Sequence, residues 1–307
     1  MGGRKSSRVR VPSRAPAPAS MMRSAVRDGR TRAKQLVAAR RKTLLSKAFV
    51  GNNGVLVAEG DSWFDYPLND VLGCLEDNFG YRVESVAHKG DTLESMAYDD
   101  AQLVALQRRF ERVQEQGTSP RAILLSGGGN DIAGDEFAVL LNHQRSQLPP
   151  LNAGIVDGIV NVRLRAALAR LIGAVTEFSL QYFDRVIPVV VHGYGYAVPD
   201  GRGFLGGFWV LPGPWLEPGF RRKGYPDLSF NTAVVERLID TFNAMLASLP
   251  GQAGLGHVRY VDLRPGLSND LPSAYRAAWA NELHPTPVGY RAVAAQFDAI
   301  IRSFPRP

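Results

Sequence analysis

The sequence predicts an α/β protein built on a parallel sheet with helices on both faces. Two observations carry this. Five short apolar, β-rich runs recur along the chain, at 55–60 (VLVAEG), 82–88 (RVESVAH), 122–129 (AILLSGGG), 186–194 (VIPVVVHGY) and 258–263 (VRYVDL). Helical patterns fall between them at 68–79, 92–116, 154–182 and 230–249, and a last one covers 287–302. Strands that alternate with helices pair in parallel, because each crossover helix carries the chain back to the end where the previous strand began.

Each element has a local reason. VLVA (Val55–Ala58) is a continuous apolar run, as expected of a strand buried on both faces. In the first helical pattern Leu72, Leu75 and Phe79 share a face, and Cys74, the single cysteine, reads as a small core residue beside them. One cysteine excludes an internal disulfide framework. Pro287 suits the first turn of the last helix, where a missing N–H costs nothing. In a sheet of this kind ligands sit beyond the carboxyl ends of the strands. Two long segments, 131–153 and 195–229, follow strand ends and overhang that edge, a position that suits pocket walls or lids.

The charge is unevenly spread. Of 36 Lys/Arg and 29 Asp/Glu, fourteen basic residues and one acid fall in 1–47, so the rest holds 22 basic against 28 acidic residues. The net charge of +7 therefore belongs to the N-terminal segment, and the remainder is mildly acidic, which argues against specific nucleic-acid binding. We expect a basic, disordered or partly helical tail over 1–48 and one domain over 49–307. The tail lacks the apolar stretch of a signal peptide, and no run is long and apolar enough to span a membrane, so a cytoplasmic location is expected. VRVP (Val9–Pro12) is what the T-arm of a transfer-RNA gene would encode, which suggests a start at Met21 or Met22.

G-x-S-x-G, P-loop, H-E-x-x-H and strand-following G-x-G-x-x-G motifs are absent from the sequence. Polar residues at strand ends remain: Ser62 in EGDSWFDY, Gly90 in AHKGDTL, Asn130 in SGGGND and His284 in NELHPTPVGY. Each has a plain structural reading, since Ser62 can cap a helix, the glycines can form turns and His284 can lie on the surface. Together they supply a nucleophile, a base and oxyanion donors at one edge.

These four blocks, GDSW (60–63), the Gly90 turn, GGGND (127–131) and HPT (284–286), resemble the ordered blocks of the SGNH, or GDSL, hydrolases over about 250 residues. The resemblance implies a flavodoxin-like three-layer α/β/α sandwich with strand order 2-1-3-4-5. It implies Ser62 as nucleophile, His284 as base, and an oxyanion hole from the N–H groups of Ser62 and Gly90 and the Asn130 side chain. It implies ester hydrolysis with no metal or other cofactor. The chain departs from the family where Asp is usual three residues before the histidine, for Asn281 stands there. Asn281 or the neighbouring Glu282 is then left to orient the imidazole.

The second long segment carries Phe204, Phe208, Trp209, Trp215 and Phe220. With Trp63 they offer a wall for an acyl group or a stacking surface for a sugar, or else simply pack the loop down. Asp65 and Asp131 read as turn or cap residues. The expected activity is a serine esterase acting on a lipid, short-chain or acetylated-sugar ester. The alternatives are a weak or inactive carbohydrate- or lipid-binding module and a metal-dependent phosphoesterase using Asp61, Asn130, Asp131 and His284.

Overall fold

The computed structural model describes residues 53–204 and 212–306. The tail and Phe208 and Trp209 of the long loop lie outside the described residues. In chain order the main elements are β1 Val55–Gly60, α1 Val71–Phe79, β2 Arg82–Ser85, α2 Leu93–Tyr98, α3 Asp100–Glu115 and β3 Pro120–Ser126. Then come α4 Ala153–Asp157, α5 Arg165–Phe183, β4 Val189–His192, α6 Glu217–Arg222, α7 Leu228–Ala247, β5 Val258–Val261 and α8 Pro287–Arg302.

The five strands form one sheet in the order β2-β1-β3-β4-β5, and every pairing is parallel. β1, β3 and β4 are buried along their whole lengths, which accounts for their unbroken apolar runs. The chain first steps from β1 to β2 at one edge, then moves in the opposite sense through β3, β4 and β5. With right-handed crossovers, that reversal places α1 on one face and α2, α3, α5 and α7 on the other. α8 returns after β5 to pack on α1, while α2 and α3 both pack on α5. β1 and β3 stay paired to their ends at Gly60 and Ser126, but the connections that leave them run to opposite faces of the sheet, so a crevice opens between the two turns.

Local chemistry sets the helix starts. The Asp70 side chain accepts the Gly73 N–H at 2.6 Å and opens α1, so the helix begins at Val71 rather than 68. The 92–116 pattern splits at Asp99, which ends α2 and caps α3 by accepting the Ala101 N–H at 2.8 Å. The long pattern from 154 contains a π-helical turn at Gly158–Leu164 before α5. Thr286 caps α8 and Pro287 occupies its first turn, which leaves His284 three residues ahead of a fixed helix start. β2 ends at Ser85, short of His88, although the Val86 and His88 N–H groups still donate to the Ala58 and Gly60 carbonyls of β1. Cys74 is buried in α1. Among the described residues no helix is long and apolar enough to cross a membrane.

Candidate active site

Gly60 ends β1 in a position that only glycine fits. A Cβ there would lie 2.8 Å from both the Phe64 ring and the Ser126 Cβ. The chain then makes a single tight turn. The N–H groups of Phe64 and Asp65 both donate to the Asp61 carbonyl, and the Asp61 carboxylate accepts the Trp63 N–H at 2.9 Å. Ser62 was expected as a possible cap of the following helix. That helix starts only at Val71, and within the turn the capping side chain is Asp61.

Asp61 is buried and joins three strand ends. It also accepts the Ser126 hydroxyl at 2.8 Å and the Tyr194 hydroxyl at 2.5 Å, and Tyr194 in turn accepts the Gly129 N–H at 3.1 Å. Burial and the adjacent Asp61 charge push the Tyr194 hydroxyl well above its usual range, so it stays a donor. The turn bearing Ser62 is thus tied to the loops after β3 and β4 through satisfied polar groups.

Half-buried Ser62 meets His284, which follows β5. Ser62 Oγ lies 2.7 Å from His284 Nε2. The protonation of the ring follows from its other partner. Asn281 Oδ1 accepts the backbone N–H groups of Leu283 at 3.0 Å and His284 at 2.9 Å, so an oxygen must occupy that site. The same oxygen lies 3.1 Å from His284 Nδ1, so Nδ1 carries the proton and the Nε2 lone pair faces Ser62. The Asn281 amide is held from its other side by donating to the Tyr66 hydroxyl at 2.9 Å. The Tyr66 ring stacks on the imidazole with centroids 4.0 Å apart and planes 19° apart, and Trp215 meets it edge-on at 5.5 Å. Enclosed in this way, the His284 imidazole is pushed down to about 3 by burial, and it is neutral at ordinary pH.

Glu282 is directed elsewhere. Its carboxylate accepts four backbone N–H groups, those of Gly201 and Glu217 at 3.0 Å on Oε1, and those of Trp215 at 2.6 Å and Leu216 at 2.7 Å on Oε2. With Asn281 on the imidazole, Glu282 turns toward the long loop and makes no hydrogen bond to His284. The suggestion that Glu282 orients the histidine is therefore corrected by the geometry.

Asn130 Nδ2 donates to the Asp91 carbonyl at 2.9 Å, which ties the turn after β3 to the turn holding Gly90. An amide nitrogen carries two protons, and the second has no protein acceptor among the described residues. Gly90 is exposed with φ +93°, a backbone region that L side chains rarely adopt, and a Cβ there would meet nothing within 4 Å. Neither the Ser62 N–H nor the Gly90 N–H donates to a protein acceptor among the described residues.

A pocket opens beside Ser62 and Asn130, and Gly90 lies outside its lining. Its walls include Trp63, Ile132, Phe137, Leu216, Leu238 and Phe242, and Tyr194 and Trp279 also line it. Trp63 is buried and donates its indole N–H to the Leu283 carbonyl at 3.1 Å, so it anchors the histidine segment as well as walling the pocket. Trp215 lies on the imidazole rather than in the lining. Phe220 packs on Phe137 in the core, and Phe204 meets Tyr66 edge-on. Asp131 caps α2 by accepting the Leu93 N–H at 2.7 Å, and Asp65 accepts the Lys89 N–H at 3.1 Å. Among the described residues no group of three or more His, Cys, Asp or Glu side chains is placed to hold a metal ion.

Sequence reasoning missed Tyr66 and the α7 wall. Tyr66 ends the same motif as Ser62, but only the fold stacks it on a histidine more than two hundred residues away. The inward stripe of α7 looks like ordinary core in the sequence.

A family model, GDSL-like Lipase/Acylhydrolase, matches residues 60–297, and the chain belongs to this family of hydrolases. No curated protein matches the chain. Among solved structures it is similar to LAE5, an alpha/beta hydrolase enzyme from the metagenome of Lake Arreo, Spain, at 13% identity, covering 82% of this chain and 96% of that one with a TM-score of 0.41. It is also similar to a catalytic mutant of Axe2, an acetylxylan esterase from Geobacillus stearothermophilus, at 15% identity, covering 82% and 95% with a TM-score of 0.41.

Proposed function

We propose that this hydrolase is a serine esterase that cleaves acyl esters through Ser62 and His284. The observation that carries the reading is the 2.7 Å approach of Ser62 Oγ to an imidazole nitrogen whose lone pair is aimed at it. Ser62 Oγ attacks the ester carbonyl carbon while its proton passes to His284 Nε2. The carbonyl oxygen becomes an oxyanion, for which the free N–H groups of Ser62 and Gly90 and the Asn130 amide are the available donors. His284 returns the proton to the leaving alcohol. A water then attacks the acyl-enzyme, gives its proton to Nε2 and releases the acid, restoring Ser62. The apolar pocket suits the acyl group, while the alcohol part faces the open edge.

Asn281 sets the strength of this pair. It fixes the tautomer but brings no negative charge to the imidazolium that forms during attack, so it supports a slower enzyme than a carboxylate would. The same observation favours a second reading, a binding module on this fold. Labelling with a fluorophosphonate separates the two. Label that depends on Ser62, lost in Ser62→Ala, together with turnover of short p-nitrophenyl esters that survives EDTA, supports the esterase. No label and no turnover would favour the binding module.

A further inference from the structure

We propose that Glu282 is a positioning residue that governs acyl-group selection, by clamping both ends of the 201–217 segment beside His284. The proposal rests on the serine-esterase reading above. The clamp is unusual in composition, for one wholly buried carboxylate receives four peptide N–H groups from 65 to 81 residues away and, among the described residues, no hydrogen bond from a side chain. Two come from each side of the ion: Gly201 before the loop and Glu217 after it on one oxygen, Trp215 and Leu216 on the other. Burial pushes the Glu282 carboxyl up to about 7, and the four donors pull the other way. Its charge is balanced by peptide dipoles. A second strap runs in parallel. The Glu282 N–H donates to the Arg202 carbonyl at 3.2 Å, and the Arg202 guanidinium donates to the carbonyls of Trp279 and Ala280 at 3.1 Å each.

The clamped residues touch both parts of the site. Leu216 is a wall of the pocket, and Trp215 lies against the His284 ring. The Trp215 carbonyl also accepts the Gly134 N–H at 3.1 Å, which brings the neighbouring wall of Ile132, Ala133 and Phe137 into register with Leu216. An acetyl group needs only the mouth of the pocket at Ser62 and Asn130. A longer acyl chain must also lie against Leu216 and Phe137, so loosening the clamp penalises long chains more than short ones. His284 keeps its hydrogen-bond partners, because Asn281 and Ser62 bond to it directly and are not among the clamped residues.

The test is Glu282→Gln, which keeps the shape but offers one acceptor oxygen where the carboxylate offers two. The octanoate-to-acetate ratio of kcat/KM for p-nitrophenyl esters should fall by about tenfold, mainly through KM for octanoate, and amide exchange across 213–218 should quicken. An equal fall for both esters would instead place the effect of Glu282 at His284, through Trp215, and no change in either would remove it from the site; each result overturns the proposal. If the variant does not fold, the parent decides. Exchange at the Gly201, Trp215, Leu216 and Glu217 N–H groups at least about tenfold slower than that of exposed loop amides supports the clamp, and free-amide rates overturn it. A parent that shows no Ser62-dependent turnover would sink the esterase reading alone, because amide exchange still judges the clamp.

Discussion

Asn281 and His284 are joined by a carbonyl oxygen at 3.1 Å from the ring nitrogen Nδ1, in the place where a carboxylate would also stabilise a charged imidazole. The amide is fixed by two backbone N–H groups and by Tyr66, so the pair is well oriented but electrostatically weak.

Replacing Asn281 with Asp should strengthen the base. The carboxylate can keep all three N–H donors, and the Tyr66 hydroxyl can rotate to donate instead of accept. We expect kcat/KM at pH 8 to rise by roughly tenfold or more. The pH dependence should move as well. Burial lowers the His284 pKa, so the neutral base persists as pH falls, and the acid limb of the parent should lie well below 6.5. A negative charge beside the ring raises that pKa, so the limb of N281D should move to higher pH. A pH–rate profile that does not shift would show that Asn281 is not coupled to the reacting imidazole.

Tyr66 contributes in two separable ways. Tyr66→Phe keeps the stacked ring but leaves the Asn281 amide without its acceptor, which should cost about 1–2 kcal/mol in activity, or roughly fivefold to thirtyfold. Tyr66→Ala also uncovers the imidazole. With less burial the His284 pKa rises toward its ordinary value, so the acid limb should move upward in Tyr66→Ala and stay in place in Tyr66→Phe. Steady-state rates from pH 4 to 9 on both variants check this, and identical profiles would contradict it.

Glu59 gives a stability prediction away from the chemistry. It is wholly buried at the end of β1, with the Gly60 N–H on Oε1 and no partner for Oε2 among the described residues. Burial, aided by the charge of Asp91, pushes its carboxyl up to about 8. A carboxyl raised on folding stabilises fully below its unfolded value of 4.5, and that contribution is lost as pH rises through about 8. Glu59→Gln removes this loss. Relative to the parent, its stability should improve between pH 5 and pH 9 by on the order of 2 kcal/mol, read from urea unfolding at both values. Parallel curves for the two proteins would show that Glu59 does not titrate in this range.

Much of the architecture is legible without coordinates. Apolar runs buried on both faces mark β1, β3 and β4, because no polar alternation is possible where both faces are covered. The start of α8 follows from Thr286 and Pro287, since capping and a fixed φ are properties of neighbouring residues. The 92–116 pattern hid a break, because Asp99 can end one helix and cap the next without interrupting the apolar period.

At the site the division follows range. The sequence by itself determined which residue types stand at the strand ends, Ser62, Gly90, Asn130 and His284, and that a parallel sheet brings such ends to one edge. It also determined that Asn stands where a carboxylate is usual. Only the tertiary structure decided that Asn281, and not Glu282, faces the imidazole, that Tyr66 stacks on it, and that Asp61 binds the ends of β1, β3 and β4 together. Those outcomes depend on which side of the backbone a side chain leaves and on partners far away in sequence. Residue spacing encodes neither, whereas closing the sheet and pairing the buried Asp61, Asn281 and Glu282 side chains fixes both.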